Sequence, residues 1–216
     1  STYYFNSGYI LSSGMKYIDG TRYYFDPKTF RSIGGLITVD GYTFYFKEGG
    51  GVYTGLNNID GDLYYFNSEG ILKSGWYTID EKKYYFSKKT GIALEGFQKV
   101  DGFNYYFDDI NGAYSGRLEV NGNKYYFYST GIMAEGITKI DGIYYYFEKD
   151  TGIQKSGFIQ TDYTHKMYFL PDGGYLTGLQ SVNGNLYYFN ESTGILESGR
   201  YTINGKNYIF DPINFQ

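Results

Sequence analysis

Acid–base and nucleophilic catalysis draw on His, Cys or paired carboxylates gathered in one pocket. This 216-residue chain offers one His, His165, and no Cys. Many of its Asp residues occupy one recurring place, the first residue of Asp-Gly pairs such as Asp19-Gly20, Asp40-Gly41, Asp60-Gly61, Asp101-Gly102 and Asp141-Gly142. There Asp bonds its local backbone and tolerates a left-handed φ, which is a turn role rather than a catalytic one. Gly49-Gly50-Gly51 lacks the Lys-Ser/Thr of a phosphate loop, and the Gly-Gly-x-Gly-x-Asp pattern of calcium rolls is absent. No catalytic residue, metal site or cofactor is expected. The chemistry left to the chain is that of rings: 30 Tyr, 17 Phe and one Trp, Trp76. Flat faces with a hydroxyl edge stack on sugars and equally well on proteins.

Charge narrows the partners. The formal net charge is −4 and Lys and Arg form no run, so nucleic acid, which needs a basic footprint, is not an expected partner. No apolar stretch approaches the roughly 18 residues of a membrane helix, and membrane insertion is not expected. The absence of Cys fits an exported Gram-positive protein built without disulfides. The expected setting is secreted or extracellular, and the expected state is a monomer. Ser1-Thr2-Tyr3-Tyr4-Phe5 opens in the middle of a repeat, which reads as a piece of a longer protein. Asp211-Pro212-Ile213-Asn214 breaks the repeat and suits a chain end at Phe215-Gln216.

The elements that would carry these rings follow from self-similarity. A pair of mostly aromatic residues followed by Phe recurs, the final Phe falling at Phe5, Phe25, Phe46, Phe66, Phe86, Phe107, Phe127, Phe147, Phe169, Phe189 and Phe210. The steps are 20 to 22 residues. Before most of these landmarks stands an Asp-Gly or Asn-Gly pair, the latter at Asn121-Gly122, Asn183-Gly184 and Asn204-Gly205. Such pairs between β-type runs favour a type I′ turn, so each repeat reads as a two-stranded hairpin. The expected architecture is all-β: one domain over 1–216, a β-solenoid of about ten tandem short repeats. Isolated hairpins are only marginally stable, and stacking each on the next buries their apolar faces.

Turn position also sets register. With Asp40-Gly41 as the loop, Val39 faces Tyr42, Ile37 faces Phe44 and Gly35 faces Phe46, all on one side. That side is the expected core, with the Gly leaving room for the Phe ring. The opposite side carries the residue after each Gly (Trp76, Phe97 among them) and the middle aromatic (Tyr85, Tyr106). Cross-strand pairs Trp76–Tyr85 and Phe97–Tyr106 are expected there, on an outer face open to a ligand. Such pairs also stabilise hairpins unaided, by roughly 0.2–1 kcal/mol each, and most of these Tyr read as structural.

The stretch Leu56-Asn57-Asn58-Ile59-Asp60-Gly61-Asp62-Leu63-Tyr64-Tyr65-Phe66-Asn67-Ser68-Glu69-Gly70-Ile71 resembles a repeat of the choline-binding and cell-wall-binding superfamily. Its Ile/Val-Asp-Gly-x-x-Tyr-Tyr-Phe wording is most similar to the combined repetitive oligopeptides, or CROPs, of large clostridial glucosylating toxins. That resemblance, covering essentially the whole chain, implies a left-handed β-solenoid that binds a host cell-surface glycan or protein receptor. It also implies a secreted toxin whose enzymatic domains lie elsewhere, and to which these repeats could dock. Choline-binding repeats form a cage from a Trp after the repeat Gly, a Trp before the Tyr pair, and a Tyr. Here the first is Trp only at Trp76, and the second reads Arg22, Thr43, Leu63, Lys83, Asn104, Lys124, Tyr144 and Asn207. An aromatic box for a quaternary ammonium is therefore incomplete, and choline is not the expected ligand.

In the toxin family, sugar sites lie where longer repeats interrupt short ones. The nearest echo here is the 22-residue unit around Thr161-Asp162-Tyr163-Thr164-His165-Lys166, which lacks an Asp-Gly turn. A carbohydrate or receptor site would fall between it and the next hairpin, at Tyr163, His165, Lys166, Tyr168, Asp172 and Tyr188. The same unit reads more readily as an irregular hairpin or a bend in the solenoid. Two other functions stay open: a wall-binding module of a Gram-positive lysin or surface protein, and a structural spacer or lid docked on its parent protein.

Overall fold

A computed structural model describes residues 2–108 and 111–211. Residues 212–216, where the repeat breaks, lie outside the described residues. The described chain is all-β and carries ten antiparallel hairpins of consecutive strands, most of five residues each. It forms two compact units, Ser1–Tyr114 and Ser115–Gln216. The first holds the hairpins spanning 14–25, 35–46, 55–66, 75–86 and 96–108; the second holds those spanning 116–127, 136–147, 157–169, 178–189 and 199–210.

Register follows the turns. In one hairpin Gly35 pairs with Phe46, Ile37 with Phe44 and Val39 with Tyr42, as the Asp40-Gly41 loop requires. Both loop residues have positive φ, 51° at Asp40 and 80° at Gly41, the type I′ signature. One turn departs in sequence but not in shape: Asp80 and Glu81 have φ of 49° and 64°, so Glu81 does a glycine's work.

In each unit the core is a column of Phe rings. Phe25, Phe46, Phe66, Phe86, Phe107, Phe127, Phe147, Phe169 and Phe189 are all at most 2% exposed. Fully burying such a ring stabilises by about 1.5–3 kcal/mol relative to leaving it in water, so the column dominates the packing. The first aromatic of the pair lies beside it, buried at Phe44, Tyr64, Tyr84, Tyr105, Tyr125 and Tyr145.

The glycine facing each Phe is present for a different reason from the one its position suggests. A Cβ at Gly75 would meet nothing within 4 Å, yet its φ is +89°. The backbone there enters the strand through the left-handed region, where a side chain costs energy and glycine does not. Room for the Phe ring is not the constraint.

Within each unit the hairpins stack in sequence order. Backbone N–H groups of four linking segments reach carbonyls one hairpin further back: Gly51 to Arg22 (2.7 Å), Leu72 to Thr43 (2.8 Å), Ala93 to Leu63 (2.8 Å), and in the second unit Gly174 to Tyr144 (2.6 Å). Ring packing runs in the same direction. Tyr24 lies 5.8 Å from Phe46 and Tyr65 lies 6.0 Å from Phe86. In the second unit Tyr146 lies 5.7 Å from Phe169 and Tyr188 lies 5.9 Å from Phe210. Inside a unit, a hairpin with a neighbour on both sides thus has two packed faces, which is the stacking a repeat array needs.

Candidate binding clefts between hairpins

The middle aromatics, expected on an outer face, are instead the second face of the stack. Trp76 follows Gly75 on strand Gly75–Ile79 and pairs directly with Tyr85 on Lys82–Phe86. The two rings meet edge to face at 5.1 Å, as expected from the sequence. The indole then packs forward onto the next hairpin, 5.1 Å from Tyr105 and 5.9 Å from Phe107. Its Nε1–H donates to the Asp101 carboxylate at 3.0 Å. Burial, with the Asp101 charge nearby, pushes the Tyr105 phenol above its ordinary pKa. Above the same indole lies the Lys83 ammonium, 4.3 Å from the ring centroid. The Phe97–Tyr106 pair also forms, at 5.0 Å, and Phe97 keeps 43% of its surface exposed.

The second unit repeats the construction. Phe158 pairs with Tyr168 at 4.9 Å and packs forward at 5.0 Å on Tyr187 and 6.4 Å on Phe189. Lys166 lies over Phe158. At another junction Arg117 takes the position after glycine, stacks 4.7 Å from the Tyr145 ring and donates to its hydroxyl at 3.1 Å.

The residues expected around the odd hairpin serve separate ends. Tyr163 is fully exposed at the tip of the turn. His165 closes that turn: its Nδ1 is 2.6 Å from Asp162 Oδ2, and Asp162 Oδ1 accepts the backbone N–H groups of Thr164 and His165. The His165 hydrogen bond, chief among these contacts, holds the Asp162 carboxyl well below the usual carboxylate range. Lys166 and Tyr168 belong to the Phe158 junction just described. Asp172 lines a cavity of about 310 Å³ with Arg117, Tyr125, Tyr145 and Gln154. Tyr188 packs on Tyr201 at 4.6 Å and on Phe210. The turn that looked like a site is clipped by its own Asp–His pair, and its neighbours serve the junctions on either side.

Sequence reading passed over the clefts flanking these junctions. In the first unit a cleft of about 590 Å³ is walled by Tyr42, Thr43, Leu72, Lys73, Ser74 and Tyr77, with Lys88–Gly91 completing its rim. It combines ring faces with hydroxyl, ammonium and backbone groups, the composition of a site for a polyhydroxylated ligand. Thr43 stood in the sequence at the position before the Tyr pair, a signal that the repeat register supplies. Among the described residues, no cluster of His, Cys, Asp and Glu fit to hold a metal is found. Among the same residues, no helix is long and apolar enough to cross a membrane.

Residues 53–94 and 114–157 match the family model of the choline-binding repeat, and residues 177–192 match that of a cell wall binding repeat. No curated protein matches in sequence. Among solved structures, CbpJ from Streptococcus pneumoniae TIGR4 is 23% identical with a TM-score of 0.77, the match covering 96% of this chain and 88% of that one. Choline-binding protein F, also of Streptococcus pneumoniae and solved in complex with ipratropium, is 22% identical with a TM-score of 0.74, covering 91% and 76%. The modular autolysin LytC of Streptococcus pneumoniae, solved with a synthetic peptidoglycan ligand, is 22% identical with a TM-score of 0.65, covering 96% of this chain and 49% of that one. These similarities establish the tandem-hairpin fold. The matched stretches are similar to repeats of the choline-binding and cell-wall-binding superfamily.

Proposed function

We propose that this chain is a wall-attachment module of a Gram-positive surface or secreted protein, holding a polyhydroxylated wall polymer in clefts between successive hairpins. The observation that carries this reading is the 590 Å³ cleft bounded by Tyr42, Thr43, Ser74 and Tyr77. Its aromatic and hydroxyl lining draws in part on residues 53–94, which match the choline-binding repeat. A second cavity between hairpins, at Tyr125 and Tyr145, recurs in the other unit. Weak clefts along one polymer add through avidity. With a net charge of −4, attraction to an anionic envelope does not come from bulk charge, so ring stacking and hydrogen bonds must carry attachment.

Co-sedimentation of the purified chain with Gram-positive cell walls, intact and stripped of teichoic acid, tests this. Retention on either preparation that survives about 0.5 M salt is expected, because screening at that strength suppresses exposed charge pairs. No retention on either wall overturns the reading.

A second reading keeps the chain in a clostridial glucosylating toxin, attaching to a host-surface glycan or receptor. It is favoured by the Asp60-Gly61-Asp62-Leu63-Tyr64-Tyr65-Phe66 wording. Selective binding on a mammalian glycan array, with none to walls, would establish it instead.

A further inference from the structure

Lys83 and Lys166 hold, at two hairpin junctions, a register position that Lys124 also takes in its own hairpin, where the residue after glycine is Arg117 rather than a ring. Lys83 pairs with Thr78, and Lys166 pairs with Gln160, each three residues before the final Phe of its hairpin. Alternation puts each on the same face as its post-glycine ring and diagonal to it across the strands. The Lys83 ammonium lies 4.3 Å from the Trp76 centroid and 5.9 Å from that of Tyr105. Lys166 lies 5.7 Å from Phe158, whose other neighbour is Tyr187 at 5.0 Å. Arg22 takes the equivalent place in its hairpin, its guanidinium 5.7 Å from Phe44 of the next.

A cation over a ring face is attracted by the ring quadrupole, most strongly for Trp, and more so as water is removed. The Trp76 slot has the parts of a cation receptor: an indole face, a tyrosine ring from the next hairpin, and a carboxylate, Asp101, bonded to the indole edge. We propose that Lys83 is the built-in occupant of this slot, and that removing its ammonium opens a site for a small quaternary ammonium ion. Lys166 fills the corresponding slot at Phe158 and Tyr187. In the intact chain these junctions are closed to free cations, and an external ligand is left the clefts where no lysine lies over a post-glycine ring. The assignment does not depend on wall attachment, because slot occupancy is read without any wall.

Trp76 is the sole Trp of the chain, so its emission reports this junction alone. Full-length wild type, Lys83→Ala and Lys166→Ala are titrated with tetramethylammonium chloride, with sodium chloride at equal ionic strength as reference. Wild type and Lys166→Ala are expected to show no saturable change in emission. Lys83→Ala is expected to respond saturably, with affinity at least about tenfold above any residual wild-type response. A saturable response in the wild type shows an open slot and overturns the proposal. A folded Lys83→Ala without response shows that the rings are not a cation site and overturns it equally. Should Lys83→Ala fail to fold, the wild type decides: ring current from Trp76 must move the Lys83 ε-methylene protons upfield of their random-coil shift. Their appearance at the random-coil position refutes occupancy.

Discussion

The indole of Trp76 donates its N–H to the carboxylate of Asp101, 3.0 Å away in the turn of the following hairpin. One ring thereby joins a cross-strand pair, the next hairpin's aromatic column and the next hairpin's turn. Its packing and its hydrogen bond can be separated. Trp76→Phe keeps a ring but loses the donor, and Asp101 is left exposed and free to take water, so a loss of about 0.5–1.5 kcal/mol is expected. Trp76→Ala removes the contacts to Tyr85, Tyr105 and Phe107 as well and is expected to cost about 3 kcal/mol. Urea unfolding followed by far-ultraviolet circular dichroism measures both; equal losses would mean that the ring contacts contribute nothing.

Glu81 sits at φ 64° in a turn position that other repeats give to glycine. A left-handed conformation costs a side-chain-bearing residue roughly 1–2 kcal/mol. Glu81→Gly is expected to stabilise the chain by about 1 kcal/mol, seen as a raised urea midpoint with an unchanged slope. Unchanged or lowered stability would show that the Glu81 side chain makes a compensating contact.

Two glycines separate strain from collision. At Gly75, φ +89°, an added Cβ meets nothing within 4 Å, whereas at Gly112, φ +71°, it falls 2.4 Å from the backbone oxygen of Lys83. Gly75→Ala is expected to cost about 1–2 kcal/mol, from φ alone. Gly112→Ala must also push two backbones apart and is expected to cost several kcal/mol. The order, read from thermal melts, is the decisive outcome: Gly75→Ala as damaging as Gly112→Ala would reinstate ring clearance as the reason for the Phe-facing glycine.

Burial raises the phenol pKa values of Tyr64, Tyr84 and Tyr105 above the ordinary tyrosine range, with nearby Asp62, Asp80 and Asp101 carboxylates adding to it. A folded-state pKa above the unfolded one means stability that is fully present below the unfolded tyrosine pKa of about 10. That stability is lost as pH rises through the folded values. Phenolate absorbance should therefore rise in two phases, the later one belonging to the buried set and coinciding with unfolding. A single phase centred on the free tyrosine pKa would contradict the burial.

Tyr42 is 56% exposed at the mouth of the 590 Å³ cleft. Tyr42→Ala is expected to lower wall retention severalfold while moving stability by less than about 1 kcal/mol, given its exposure. A melt shift with unchanged retention would place Tyr42 in the fold rather than in the binding surface.

The hairpins and their register were legible from the chain alone because the physics behind them is local. Asp40-Gly41 dictates positive φ at both loop residues, and alternation then assigns Val39, Phe44 and Phe46 to one side. The Phe column followed from a repeat of 20 to 22 residues. What only the tertiary structure decided lies between hairpins. Trp76 and Tyr85 were readable as a pair, but not as a pair closed by Tyr105 and Phe107. Lys83 was visible as a missing Trp, not as a cation lying over the ring that remains. His165, the residue that most invited a chemical role, clips its own turn through Asp162. Within a hairpin a two-residue turn constrains every pairing; between hairpins the arrangement depends on how similar faces stack within each unit, and no local spacing encodes that.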